Sequence, residues 1–293
     1  LKEPTTQPFT LLSADGTRLA ATWYPVAGGR PAQATLVVAA ATGVPQSFYR
    51  RFALFASRQQ QVQVLSFDYR GTAASRPMRL RGFQADFSHW AQDIDAALAE
   101  GLRRAQGGAL SYLGHSIGGT LGPLAARAVH AQSMVLVGAQ TAYWRDWPAL
   151  QRWPMALLWH GFMPAMTLLC GHFPARRLRL GEDLPRGVAL QWAARPWRDW
   201  TFATADSPPA TALPPLHLVA ASDDAFATPA AQERLAARLS GARILRHEVQ
   251  PASLGLARIG HFGLFRQRCA GIWPTLLHLA LVAQGNGASP PRS

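Results

Sequence analysis

A chain of 293 residues that is 48% apolar and 15% charged is too apolar to be disordered and long enough for one large folded domain or a domain with an insertion. The 29 Lys+Arg against 16 Asp+Glu give a formal charge of +13, yet Lys2 is the only lysine and the arginines are scattered rather than run together. A dedicated nucleic-acid partner is therefore not expected.

From the N-terminus, Leu1-Lys2-Glu3-Pro4 lacks the basic-then-apolar layout of a secretion signal, and cytoplasm is the default compartment. Phe9 to Leu12 and Leu19 to Tyr24 flank Asp15-Gly16, a turn dipeptide, which predicts an antiparallel hairpin at a sheet edge. Short apolar or β-branched runs follow at Thr35–Ala40, Val62–Phe67, Leu110–Leu113, Met134–Val137, Leu216–Ala220 and Ile244–Val249. Helical stretches lie between or after them at Gln46–Gln59, Phe87–Arg104, Ile117–His130, Pro229–Leu239 and Phe265–Val282. This alternation predicts an α/β fold with a mostly parallel central sheet of about eight strands and helices on both faces.

The alternation stops between residues 139 and 213, and a structureless loop of that length is improbable. The expected organisation is a core over 1–138 and 214–284, an inserted helical cap or lid over 139–213, and a disordered tail at 285–293. Trp144, Trp147, Trp153, Trp159, Trp192, Trp197 and Trp200 all fall in the insertion, either as a small core or as lining for an apolar pocket. Trp153 to Cys170 carries no charge, but Pro154, Gly161 and Pro164 interrupt it, which favours a buried or amphipathic segment over a membrane span. Cys170 and Cys269 are too few for a disulfide framework or a zinc site, and no metal or cofactor is expected.

Gly114-His115-Ser116-Ile117-Gly118 follows a strand and opens a helix, the context of a nucleophile elbow. The turn lifts the Ser116 hydroxyl above the sheet, and glycines on either side are needed because a β-carbon would collide there. A hydroxyl needs a base, and in this sheet type the acid and then the histidine follow the serine. His261, between Gly260 and Phe262-Gly263 in the last strand-to-helix loop, fits the base; His247 and His278 are worse placed. Asp224 is the preferred acid and Asp223 its backup, with Asp146 ranked lower and Asp68 expected to pin a loop. The expected oxyanion donors are the amides of Ile117 and Val44. Trp144, Trp159 and Phe262 are the candidate pocket residues.

These features resemble the α/β-hydrolase superfamily. Within it, Ala41-Thr42-Gly43-Val44-Pro45, Phe48-Tyr49-Arg50-Arg51-Phe52, Asp68-Tyr69-Arg70-Gly71, Gly114-His115-Ser116, Tyr143-Trp144, Gly181-Glu182-Asp183-Leu184-Pro185 and Gly260-His261-Phe262-Gly263 are similar to a group of bacterial hydrolases near the serine-aminopeptidase-like and monoacylglycerol-lipase-like branch. The resemblance implies the α/β-hydrolase fold, a Ser-Asp-His triad and a cap, with no cofactor. Thr42 departs from the histidine that many relatives carry, and Thr228 lengthens the acid loop, which leaves Asp223 and Asp224 both open.

The expected activity is hydrolysis of a small carboxylic ester or thioester with an apolar part. An acyltransferase using the same triad and an aminopeptidase or amidase holding an amine on Glu182-Asp183 are the alternatives, and a non-catalytic binding protein is disfavoured. The basic charge and the uncharged stretch also predict a weak contact with an anionic membrane surface.

Overall fold

The computed structural model describes residues 6–194 and 207–282. Trp197, Trp200 and the tail expected at 285–293 lie outside the described residues. The hairpin forms where its turn chemistry places it: strands β1 (Gln7–Leu12) and β2 (Arg18–Tyr24) pair antiparallel, with Leu11 opposite Leu19. Asp15 accepts from the Thr17 amide at 3.0 Å and so closes the turn.

The chain then alternates through β3 (Ala34–Ala39), α1 (Arg50–Gln59), β4 (Val62–Phe67), α2 (Phe87–Ala105), β5 (Ala109–His115), α3 (Ile117–Leu121) and β6 (Met134–Val137). The stretch that broke the pattern holds α4 (Ala149–Ala156), a wide π-type turn at Leu157–Phe162, α5 (Met163–Cys170), two paired dipeptides β7 (His172–Phe173) and β8 (Leu184–Pro185), and α6 (Arg186–Ala194). Beyond it come β9 (Leu216–Ala221), α7 (Pro229–Arg238), β10 (Ile244–Val249) and α8 (Trp273–Leu281).

Eight strands make one sheet in the order β1-β2-β4-β3-β5-β6-β9-β10, in which only β2 runs against the others. Alternation along β5 shows how both faces are covered. The Ser111 hydroxyl donates to the Ala280 carbonyl of α8, whereas Tyr112 on the opposite side donates to Gly118 of α3 at 2.6 Å. Helix α2 packs on that second side. It opens on Asp86, whose carboxylate accepts from the His89 amide, and buries Phe87, Trp90, Ile94, Ala97 and Leu98 at helical spacing.

Three helices are shorter than their apolar pattern predicts. The stretch expected over Gln46–Gln59 opens with a 3-10 turn at Gln46–Tyr49 and is α-helical only from Arg50. The stretch expected as one helix over Ile117–His130 becomes α3 and two 3-10 turns, because Pro123 has no N–H to continue the ladder. Phe265–Val282 likewise begins with 3-10 turns and becomes α-helical only at Trp273, where Pro274 fits the first turn. The outcome that matters for function is the sheet's carboxyl edge: the loops after β3, β5, β6, β9 and β10 open there together.

Candidate active site

Ser116 follows β5 directly and has φ 52° and ψ −113°, a conformation that L-residues adopt only where the surroundings impose it. The glycines around it explain the imposition. A β-carbon at Gly114 would lie 2.5 Å from the Gly118 carbonyl carbon, and one at Gly118 would lie 2.6 Å from the Ala39 oxygen. The turn is therefore wedged between β3 and its own helix. Ser116 donates its amide to Val137 O at 2.8 Å and is 5% exposed, so the side chain meets a cavity rather than bulk water.

His261 comes to the same edge from the loop after β10. Its Nδ1 lies 2.8 Å from Asp224 Oδ2, with both side chains buried. A carboxylate only accepts, so Nδ1–H is the donor and the neutral ring keeps its lone pair at Nε2. The other Asp224 oxygen accepts the amides of Phe226 and Ala227 at 2.9 and 3.0 Å. Burial by itself would raise this carboxyl. The hydrogen bond and charge of His261, with those two amides, outweigh burial and hold it below the usual carboxylate range.

Asp223, one residue away, does not touch the ring. Its oxygens accept the Ile259 and Gly260 amides, both at 2.9 Å, and so anchor the loop that carries His261. Asp146 is held by Arg234 instead, and Asp68 accepts from the amides of Gln46 and Ala74 as a loop pin.

The loop after β3 differs from expectation. Val44 does not line the cavity, and its amide donates to the Ala41 carbonyl at 3.2 Å, closing a turn whose third residue, Gly43, has φ +69°. The Ala41 amide donates to Tyr49 Oη. Ala41, Thr42 and Gly43 are the residues this turn presents to the cavity that Ser116 also lines.

The cavity measures about 280 Å³ and is covered on one side by Met155, Leu158, Trp159, Met163 and Trp192, all from the 149–194 stretch. Its polar side chains are Thr42, Ser116, Gln140, Glu182 and His261. Trp159 and Phe262 line it as expected, but Trp144 does not. Trp144 sits in a short 3-10 turn and packs on Trp153, outside the cavity.

The sequence pattern of the alpha/beta hydrolase family matches residues 36–268. The chain belongs to the alpha/beta hydrolase family. No curated protein matches this hydrolase closely enough to count as a relative. Among solved structures, a soluble variant of monoglyceride lipase from Saccharomyces cerevisiae, in complex with a substrate analogue, superposes with a TM-score of 0.67 at 15% identity, over 95% of this chain and 96% of the lipase. A hydrolase from Pseudomonas aeruginosa gives a TM-score of 0.56 at 20% identity, over 93% and 98% of the two chains. The enol-lactonase from Burkholderia xenovorans gives 0.56 at 17%, over 92% and 99%. At such identities the likeness speaks for the fold.

Several contacts that shape the site of this hydrolase join segments far apart in the chain. Trp192 Nε1 donates to Thr42 Oγ1 at 3.1 Å, and the Glu182 amide donates to Gly43 O at 2.8 Å, so the 149–194 stretch holds the turn at two points. Gly138, at the end of β6, has φ +58°, and a β-carbon there would come within 3.1 Å of His261 Cε1. A glycine at a strand end on the carboxyl edge was the available hint. Phe226 packs its ring 5.1 Å from that of His261.

His115 points away from the cavity and is fully buried. Its Nε2 donates to the His261 carbonyl at 3.0 Å, so its Nδ1 accepts from the Tyr49 hydroxyl at 2.7 Å. A single bonded chain thus runs from the Ala41 amide through Tyr49 and His115 to the backbone of His261. Burial first, and then repulsion from the His261 ring, push His115 down from 6.5 to about 3.

Between those two values the unfolded chain binds a proton that the fold refuses. This stability is complete above pH 6.5 and is lost as pH falls toward about 3. His217, pushed down to about 4 by burial, then His247, Arg243 and His278, acts in the same direction. The melting temperature should therefore fall continuously as pH drops from about 7 to about 4. A flat profile over that window contradicts the assignment.

Proposed function

We propose that this chain is a serine esterase acting on carboxylic esters or thioesters with a small apolar group, through an acyl-enzyme. The observation that carries the reading is a histidine oriented by Asp224 sharing one apolar cavity with a serine held at φ 52°. Ser116 Oγ attacks the carbonyl while His261 Nε2 takes its proton; collapse of the tetrahedral intermediate breaks the ester C–O bond, and the imidazolium returns the proton to the leaving oxygen. Water repeats the sequence on the acyl-enzyme. The developing oxyanion is met by the Ile117 amide and by the turn at Thr42–Gly43, which replaces Val44 in this role.

An ester is favoured over an aminoacyl substrate by the state of Glu182 and Asp183. Asp183 is buried, 3.0 Å from Arg76, and accepts the Arg176 amide, so Glu182 alone reaches the cavity. The test is a panel of p-nitrophenyl esters of graded acyl length beside aminoacyl anilides. Ester turnover should rise with acyl length until the cavity is filled and then fall, with little anilide cleavage. Absence of ester turnover across the panel overturns the reading, and capture of most acyl groups by an added alcohol replaces it with acyl transfer.

A further inference from the structure

The helical run from Ala149 to Cys170 is apolar on two sides. Its inner side, with Met155, Leu158, Trp159 and Met163, roofs the cavity. Its outer side presents Leu150 at 94% exposure, Trp153 at 70% and Leu157 at 71%, and continues through the exposed Leu168 and Leu169. The steps of three, four and then eleven residues, the last about three turns, keep Leu150, Trp153, Leu157 and Leu168 on one stripe. Scattered exposed leucines are ordinary, but a continuous stripe with a largely exposed tryptophan marks a surface that meets another apolar phase.

What that phase is follows from the charges around it. No formal charge interrupts Trp153 to Cys170. Arginines stand at both ends: Arg152, bonded to the Arg145 carbonyl, at the first; Arg81, against the Leu169 carbonyl, at the second, with exposed Arg177 and Arg179 beyond. The nearby acids are turned onto partners, Asp146 onto Arg234 and Asp183 onto Arg76. The ends of the run are thus cationic and its centre is apolar. No helix among the described residues is long and apolar enough to cross a membrane, so the stripe suits lying in an interface rather than spanning one.

We propose that the outer face of residues 149–170 docks on an anionic lipid surface, with its apolar stripe among the acyl chains and its flanking arginines on the phosphates. The cavity roof then sits against the lipid, so an apolar ester reaches Ser116 from the membrane; this last clause rests on the esterase reading, while the docking does not.

The experiment therefore uses Ser116→Ala protein, which binds without turnover, and measures co-sedimentation with phosphatidylglycerol vesicles and with phosphatidylcholine vesicles at low and high salt. Expected are binding to the anionic vesicles, weakening with salt, and a drop of about tenfold or more in the Leu150→Ser/Trp153→Ser/Leu157→Ser variant. Arg177→Ser/Arg179→Ser should remove much of the salt-sensitive part. In a Ser116 background the triple variant should keep its turnover of a soluble ester, because none of the three side chains lines the cavity. Docking is overturned if anionic vesicles fail to bind the protein at low salt, if the triple variant binds as well as the parent, or if the stripe instead holds two copies together in solution. Vesicle binding without any ester turnover would overturn the esterase reading alone.

Discussion

Replacing Ser116 by alanine should lower ester turnover by roughly 10⁵- to 10⁶-fold and abolish covalent labelling by a fluorophosphonate, with the fold intact. The substitution is clean for a structural reason. The bonds that hold the elbow are made by backbone atoms, the Ser116 amide to Val137 O and the Ser116 carbonyl to the amide and hydroxyl of Thr120, and alanine keeps all three. Alanine also meets the same strained φ as serine, so the strain is unchanged. A loss of activity accompanied by a large fall in melting temperature would mean that the turn, not the hydroxyl, had been removed. Labelling that survives the change would remove Ser116 from the mechanism altogether.

The second large effect separates two neighbouring aspartates. Asp224→Asn should lower kcat by roughly 10⁴-fold, since an amide in place of the carboxylate stabilises neither the required tautomer nor the imidazolium. Asp223→Asn should cost far less, on the order of tenfold, because one of its two amide contacts survives and only the placement of the His261 loop is loosened. Steady-state kinetics on both variants decides the matter. Equal losses, or a larger loss at Asp223, would reverse the assignment. Because Asp224 sits below the usual carboxylate range, it stays charged as pH falls through the ordinary carboxylate region. The support it gives His261 should then persist under mild acid, where the buried histidines already erode stability.

The pairing of Asp224 with His261 shows what was legible in the chain and what was not. That an acid would follow β9 and a histidine would follow β10 could be read from strand order and turn residues. Which aspartate would reach the ring could not, because the two side chains leave adjacent residues in different directions and their partners lie 36 and 37 residues away. Val44 failed as a donor for a similar reason. The local string allowed it, but the turn closes by using its amide. Trp144, a pocket candidate, and Trp192, not singled out, are both indoles of the 139–213 stretch, yet of the two only Trp192 lines the cavity. Helices α3 and α8 are short because the apolar pattern runs on across Pro123 and Pro274, which confine the α-helical part to one side.

The parts whose physics is local follow from the chain alone. Strand and helix alternation follows from side-chain periodicity, the hairpin from Asp15-Gly16, and the elbow from glycines that must stand within a few residues of Ser116. Tertiary structure alone decided the relations between distant segments. It placed Asp224 rather than Asp223 on the imidazole, Thr42 and Gly43 rather than Val44 beside the serine, and Tyr49 with His115 beneath them. Among the described residues it also left the outer side of the 149–170 run exposed. Those choices depend on the direction in which a side chain leaves a packed backbone, and that direction is set by contacts between residues far apart in the chain.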